Sequence, residues 1–226
     1  MIFDIFCDAS ISVKTKTACG GCFIISQDEN GKITEVGFKR VLQLNATNNS
    51  SEILAIYTGV LEALALRAEY PDAIFRLFSD SSISILGLRD WMEKWINNIT
   101  EDGVLIASNN LPVQNQQIFI DIYNTIVLNG LKIRLFHQRG HINENVPIDY
   151  ARIKFIRSNL VTPESLGLSM ELLAKYNNMI DHLTRDAVSI YLSQGILAEN
   201  TEFEKIEPIA LKILDSALPI YKRLIS

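Results

Sequence analysis

The sequence predicts an α/β fold: a mixed five-stranded sheet, in which a three-stranded antiparallel meander is joined by parallel strands, flanked by helices and followed by extra C-terminal helices. Three observations carry this expectation. Three apolar runs come in quick succession at the N-terminus, separated by turn residues. Two further apolar runs, at residues 74–78 and 131–136, each follow an amphipathic helical stretch, and helical crossovers favour parallel neighbours. The chain has 226 residues, 48% of them hydrophobic, which suits one domain of ordinary size or a core with an extension.

The elements read in order as follows. Residues 1–9 (MIFDIFCDA) form a strand broken by Asp4, residues 20–26 (GGCFIIS) a second and residues 33–42 a third. Asp28-Glu29-Asn30-Gly31 supplies a turn between the second and third. Residues 45–51 are polar, and Ser51 is expected to cap a helix over 52–69 with Ile53, Ile56, Val60, Leu64 and Ala68 apolar. Pro71 closes it, and residues 74–78 give a fourth strand ending at Ser79-Asp80-Ser81. A short helix over 82–95 and an irregular polar stretch over 97–112 precede a helix at 116–129, with Ile118, Ile122 and Ile126 on one face. The fifth strand, 131–136, runs into a loop at 137–145. Beyond it come a short helix at 149–157, turn residues including Pro163 at 158–168, a long helix at 170–192, and a last helical stretch at 203–224 interrupted by Pro208 and Pro219. We expect one domain over residues 1–195, with residues 196–226 a helical extension packed on it.

Composition excludes several classes of protein. The mean hydropathy is +0.14, yet no run approaches the roughly 18 uninterrupted apolar residues of a membrane span. The N-terminus lacks a basic leader and carries Asp4, so a soluble cytoplasmic protein is expected. The formal charge of −5, from 21 basic and 26 acidic residues, weighs against a protein that grips nucleic acid by bulk electrostatics. It does not weigh against a nuclease, because cations held by an acidic cluster offset its charge. Cys19 and Cys22 have the spacing of half a zinc site, but no second pair exists and the histidines lie far along the chain. With Cys7, they read as small buried strand residues.

Four acidic residues point to chemistry. Asp8 and Asp80 each end an apolar strand, while Glu52 and Asp181 lie in helical segments. A carboxylate at the end of a buried strand is costly to desolvate unless a cation or hydrogen bonds compensate it. Four converging carboxylates repel one another, and hard divalent cations are the usual remedy. That composition suits a site that cleaves phosphodiesters with two metal ions.

These residues stand in motifs that resemble a known family. Asp8-Ala9-Ser10 followed by Gly20-Gly21, then Thr47-Asn48-Asn49-Ser50-Ser51-Glu52 with Leu61-Glu62-Ala63-Leu64, then Ser79-Asp80-Ser81, Gly140-His141, and Asn177 to Asp181 with Leu183 and Ala187, resemble the ordered motifs of type 1 ribonucleases H. The resemblance covers residues 1–141 and resumes at about 174–192. It implies a ribonuclease H-like fold and an endonuclease that hydrolyses the RNA strand of RNA–DNA hybrids, leaving 5′-phosphates. It further implies that Asp8, Glu52, Asp80 and Asp181 ligate two Mg²⁺ or Mn²⁺ ions. One ion acidifies the attacking water and the other stabilises the leaving oxygen. His141 matches the family's mobile loop histidine and suits proton transfer. Thr47, Asn48 and Asn49 match its minor-groove contacts, which read shape and the 2′-hydroxyl, and Ser10 is expected to approach the backbone. His137 and His182 read as structural.

The chain departs from the pattern at two places. Asp181 lies 40 residues beyond His141, whereas Asp149 lies eight beyond it and also has an asparagine, Asn145, four positions earlier. Asp181 has the better-matching downstream residues and is favoured, which makes residues 142–170 an insertion and a candidate substrate-facing flap. After the third motif, where family members are basic, residues 91–97 (WMEKWIN) hold only Lys94, and Trp91 and Trp95 are expected to pack. Lys205, Lys212, Lys222 and Arg223 in the extension are candidates to compensate, or to form a protein-partner surface, although Ile206, Ile209, Ile213, Leu214 and Ala217 argue first for core packing. A DNA-directed nuclease of resolvase type and an inert binding module are the rival readings.

Overall fold

The computed structural model describes residues 1–194 and 208–226, with side chains from residue 217 onward in the second stretch. The elements are β1 (Ile2–Ser12), β2 (Thr17–Gln27), β3 (Ile33–Gln43), α1 (Asn48–Glu69), β4 (Ile74–Ser79), α2 (Ser82–Leu86), α3 (Met92–Asn97), α4 (Gln116–Asn129), β5 (Ile133–His137), α5 (Ile148–Asn159), α6 (Met170–Gln194) and α7 (Pro208–Ile225). A π-helical turn, Gly87–Trp91, joins α2 to α3. The sheet order is β3-β2-β1-β4-β5. β1, β2 and β3 form the antiparallel meander, while β4 and β5 add in parallel beside β1. This is the mixed sheet that the alternation of strands and helices predicts.

Period-2 alternation assigns the two faces of the sheet. Phe3, Ile5 and Cys7 of β1 join the core formed with α1, α4 and α7. Phe6 faces the opposite way, into a second core with α5 and α6. Because Phe6, Phe78 and Phe136 are paired in register across β1, β4 and β5, their rings stack in a row, with centroids 5.2 and 5.1 Å apart. Cys19 and Cys22, three apart on β2, also point to opposite faces and are separately buried, so they do not form a metal pair.

A charged network is buried in the second face. Asp4 is fully buried and receives Arg76 Nε at 2.5 Å, Arg76 Nη2 at 2.8 Å and Gln27 Nε2 at 2.6 Å. Arg76 Nη1 donates to the Leu166 carbonyl at 2.5 Å, tying the segment between α5 and α6 to the sheet.

Three expectations are corrected. α1 begins at Asn48, a turn earlier than residue 52, and Thr47 rather than Ser51 is its cap: the Thr47 hydroxyl accepts from Ser50 N–H while the Ser50 hydroxyl accepts from Thr47 N–H. The Ser51 hydroxyl instead bonds back to the Thr47 and Asn48 carbonyls inside the helix. Residues 142–170 are not a flap. Ala151 and Phe155, four apart on α5, are fully buried, and Phe155 extends the aromatic row at 6.2 Å from Phe136. Their shared apolar face finds burial only on the sheet. The fifth strand begins at Ile133 rather than residue 131.

Trp95 is buried edge-on against Phe119 at 5.0 Å, so it packs as expected. The far end of α7 packs against α3, α4 and β5. Tyr221 is buried there, donates to the Leu88 carbonyl at 2.9 Å and lies 4.6 Å from the Tyr123 ring. The 195/196 boundary, residues 203–207, and the side chains of Lys205, Ile206, Ile209, Lys212, Ile213 and Leu214 lie outside the described residues. Among the described residues, no helix is long and apolar enough to cross a membrane.

Candidate metal centre and active site

Strand register sets two of the acidic residues side by side. Cys7 pairs with Ser79 in the parallel β1–β4 ladder, so Asp8 and Asp80 follow at the same level of adjacent central strands. Glu52 reaches them because α1 lies very close to the sheet. A Cβ added at Gly20 would be 3.0 Å from the Ser51 carbonyl and from Ala55 N, and one at Gly59 would be 2.6 Å from Cys7 Sγ. Any larger residue at either position would push the helix, and Glu52 with it, away from Asp8. On the other face, a Cβ at Gly21 would meet Thr184 of α6 at 3.3 Å. Small residues on β2 therefore admit a helix on each side at the level of Asp8.

Asp8, Glu52 and Asp80 each offer a carboxylate oxygen within 4.8 Å of the others. Asp181 stands close enough to add its repulsion to all three. Burial, reinforced by the neighbouring Asp80, pushes Asp8 well above the usual carboxylate range, and burial beside Asp8 does the same to Glu52. Burial also raises Asp80, opposed by the positive field of His141 and a hydrogen bond from Asn177. Glu52 Oε2 is buried without any hydrogen-bond partner among the described residues. Clustered hard oxygen donors, mutually repelling and with one orphaned buried oxygen, fit a divalent cation such as Mg²⁺ or Mn²⁺.

These raised values have a consequence that solution measurements can check. The folded, metal-free protein binds protons at these carboxyls more tightly than the unfolded chain does. Their contribution to stability is therefore present at acid pH and is lost as pH rises from about 4 through the raised values. A divalent cation must displace those protons, so its affinity rises with pH. In thermal melts with Mg²⁺ against chelator, the gain in melting temperature from Mg²⁺ should be larger at pH 8 than at pH 6. A gain that shrinks toward pH 8 would overturn this account of the cluster.

The two candidates for the fourth carboxylate stand in different surroundings. Asp181, on α6, is half-buried beside the cluster and ion-paired with Arg185 one turn on. Asp149 is exposed in the first turn of α5, with Arg152 the neighbour that feels its charge. The long separation between His141 and Asp181 is spanned by α5 and the connection that Arg76 anchors.

The other predicted residues are placed as follows. His141 sits in the left-handed region at φ 53°, exposed, with Nδ1 3.3 Å from Glu144 Oε2 and its charge felt at Asp80. Gly140 allows that approach, because a Cβ there would land on the Asp80 carboxylate. The Thr47 hydroxyl is committed to the α1 cap, whereas Asn48 is exposed and Asn49 lines a cavity of about 240 Å³ with Ile83, Trp95 and Pro112. Ser10 is half-buried on β1 opposite Cys19. His137 touches the site only through the main chain, with one hydrogen bond to the backbone of Asp80 and another to Ser158, and His182 lies near Glu144.

Sequence reasoning missed two groups. Gln138 is buried just after β5 and donates to Asn177 Oδ1 at 2.5 Å, supporting the side chain that bonds Asp80. Arg185 lowers the Asp8 carboxyl and balances part of the cluster's charge. Its place one helical turn beyond Asp181 was a usable signal. Nothing in the local sequence singles out Gln138.

A mixed sheet in this order, carrying an acidic cluster where its central parallel strands end, defines the ribonuclease H-like class. The chain belongs to the RNase H family, whose model matches residues 2–151. It is similar to LC9-RNase H1, a type 1 RNase H with the type 2 active-site motif, at 16% identity and TM-score 0.49 over 70% of this chain and 72% of that one. It is also similar to LC11-RNase H1 in complex with an RNA/DNA hybrid (14% identity, TM-score 0.44, 72% of this chain and 94% of that one). RNase H1 from the halophilic archaeon Halobacterium salinarum NRC-1 is a further likeness (16% identity, TM-score 0.39, 74% and 98%). A search among curated proteins finds no match.

Proposed function

We propose that this protein is a metal-dependent endoribonuclease that hydrolyses the RNA strand of RNA–DNA hybrids. The observation that carries the reading is the convergence of Asp8, Glu52 and Asp80, with ligand oxygens within 4.8 Å of one another, in a chain of the RNase H family. Asp8, Glu52 and Asp80, with Asp181 at the margin, would hold two Mg²⁺ or Mn²⁺ ions. When bound, such ions neutralise charge building on the phosphoryl group and make a water acidic enough to attack it near neutral pH. Asn177, supported by Gln138, fixes the Asp80 carboxylate, and the close approach of α1 fixes Glu52, so the ligands are oriented before substrate arrives. His141, exposed on its loop beside Asp80, would carry a proton between the cleft and solvent. Asn48 and Asn49, in the first turn of α1, would contact the hybrid's minor groove, and Ser10 its backbone. Residues 1–195 would form the catalytic domain.

The test is an assay of labelled RNA–DNA hybrid, duplex RNA, duplex DNA and a four-way junction, each with Mg²⁺, Mn²⁺ or chelator. Hybrid cleavage that requires the cation is the expected result, while selective cleavage of the junction would make the protein a DNA-directed nuclease. Within the active preparation, Asp181→Asn should lower cleavage at least about tenfold. Asp149→Asn should leave the rate within about twofold of wild type, because its carboxylate is exposed on α5 away from the cluster. A greater loss in the Asp149 variant would reassign the fourth ligand.

A further inference from the structure

Two adjoining cavities, each of about 440 Å³, lie beside β5: the first at the end of the sheet opposite the carboxylates, the second along the β5 edge at Leu135 and Phe136. Arg67, Lys132, Arg134 and Arg223 line the first, and Arg89, Arg157 and Lys222 join Arg134 around the second. Seven of the chain's 21 basic residues therefore meet along one edge of the sheet in a protein of net charge −5. The acidic lining is Asp72 in the first cavity and Asp90 in the second, and Asp90 is already bound by Arg89 at 3.0 Å. Lys222 pairs with Glu93 at 2.6 Å, but Arg67, Lys132, Arg134, Arg157 and Arg223 have no acidic partner within 4.0 Å among the described residues.

The first cavity opens where β4 and β5 begin, beside Ile74 and Ile133, whereas Asp80 follows the last residue of β4. At ~3.3 Å per residue, that separates the first cavity from the carboxylates by roughly 20 Å along the strand. The aromatic neighbours are Phe75 and Phe136, only 1% and 3% exposed, and Arg134 already lies over the Phe136 ring at 5.1 Å, so no ring face is left for a base to stack on. Arginine-dominated recesses without a stacking platform select phosphate groups rather than bases.

We propose that these cavities form a second, non-cleaving site for the phosphodiester backbone of nucleic acid, taking a single strand that flanks the hybrid. This rests on nucleic acid being the protein's substrate. It would supply the phosphate contacts that the segment around Lys94 lacks.

The experiment measures binding of the full chain to a fluorescent 30-nucleotide single-stranded DNA in chelator, where the metal-free carboxylates repel phosphate, across a salt series. The triple variant Lys132→Gln/Arg157→Gln/Arg223→Gln is compared with wild type. The variant should bind about tenfold or more weakly at 100 mM salt, and the slope of log affinity on log salt should shrink by about 2, at ~0.7 for each phosphate no longer neutralised. Its Mg²⁺-dependent cleavage of a hybrid too short to leave the cleft, and its melting temperature, should match wild type. Equal affinity and slope in the two proteins would overturn the proposal. So would displacement of the DNA by millimolar inorganic phosphate or nucleoside triphosphate at undiminished affinity in the variant. Loss of hybrid cleavage by wild type would instead count against the proposed function, since binding in chelator does not depend on catalysis.

Discussion

Asp80→Asn is expected to lower hybrid cleavage by about three orders of magnitude or more and to leave the fold intact. The carboxamide keeps the size and planarity of the side chain but carries no charge with which to hold a cation. It also removes one of the mutually repelling groups that Asp8, Glu52 and Asp181 face. The metal-free variant should therefore melt at the wild-type temperature or above it, whereas its stabilisation by Mg²⁺ should largely vanish. Cleavage assays with Mg²⁺, set beside melting curves in chelator and in Mg²⁺, separate these effects. Cleavage at the wild-type rate would end the metal mechanism. A fall in metal-free melting temperature would show that Asp80 holds the fold rather than a cation.

Arg76→Leu is expected to destabilise the protein by about 3–5 kcal/mol, the range for removing one partner of a buried ion pair. Asp4 is fully buried and takes two of its three hydrogen bonds from Arg76, so the variant strands a carboxylate out of reach of water. It also frees the Leu166 carbonyl, and with it the connection that leads into α6. Asp181 is carried on α6, so cleavage should fall together with stability. The double variant Asp4→Leu/Arg76→Leu should recover the larger part of the lost stability, because buried pairs replaced together by apolar residues are often neutral. Denaturant unfolding of wild type, single and double variants is the measurement. A single variant within about 1 kcal/mol of wild type would mean that the network is not buried in solution as it is in the structure.

Much of the core architecture was legible because it is encoded over short range. Alternating runs such as residues 1–9 and 20–26 present one apolar face per side, and a strand is the element that buries them. The helix at 116–129 is declared by Ile118, Ile122 and Ile126 and lies where its periodicity places it. The start of α1 was misread because Thr47 and Ser51 are both competent caps. The choice between them fell to the reciprocal bonds of Thr47 and Ser50, which depend on backbone geometry rather than residue type.

The candidate site was legible in part for the same reason. Asp8 and Asp80 end strands, and acids in that setting are conspicuous. Gln138 was not, since its partner Asn177 is 39 residues away and only the docking of α6 brings them together. Residues 142–170 were misread as a flap because the apolar residues that seat them on the sheet, among them Ile142, Ala151, Phe155, Leu166 and Leu168, are spread over loop, helix and turn and share no single period.

By itself, then, the order of residues determined which segments become strands and helices and which acids stand at their ends, since hydrophobic period and turn chemistry act between near neighbours. Only the tertiary structure decided that the charge of Asp181 acts on the other carboxylates while Asp149 lies exposed on α5, and that basic residues from α1, β5, α5 and α7 gather beside β5. Both outcomes depend on how elements distant in sequence are packed, and that is settled by the burial of whole faces against one another rather than by any local pattern.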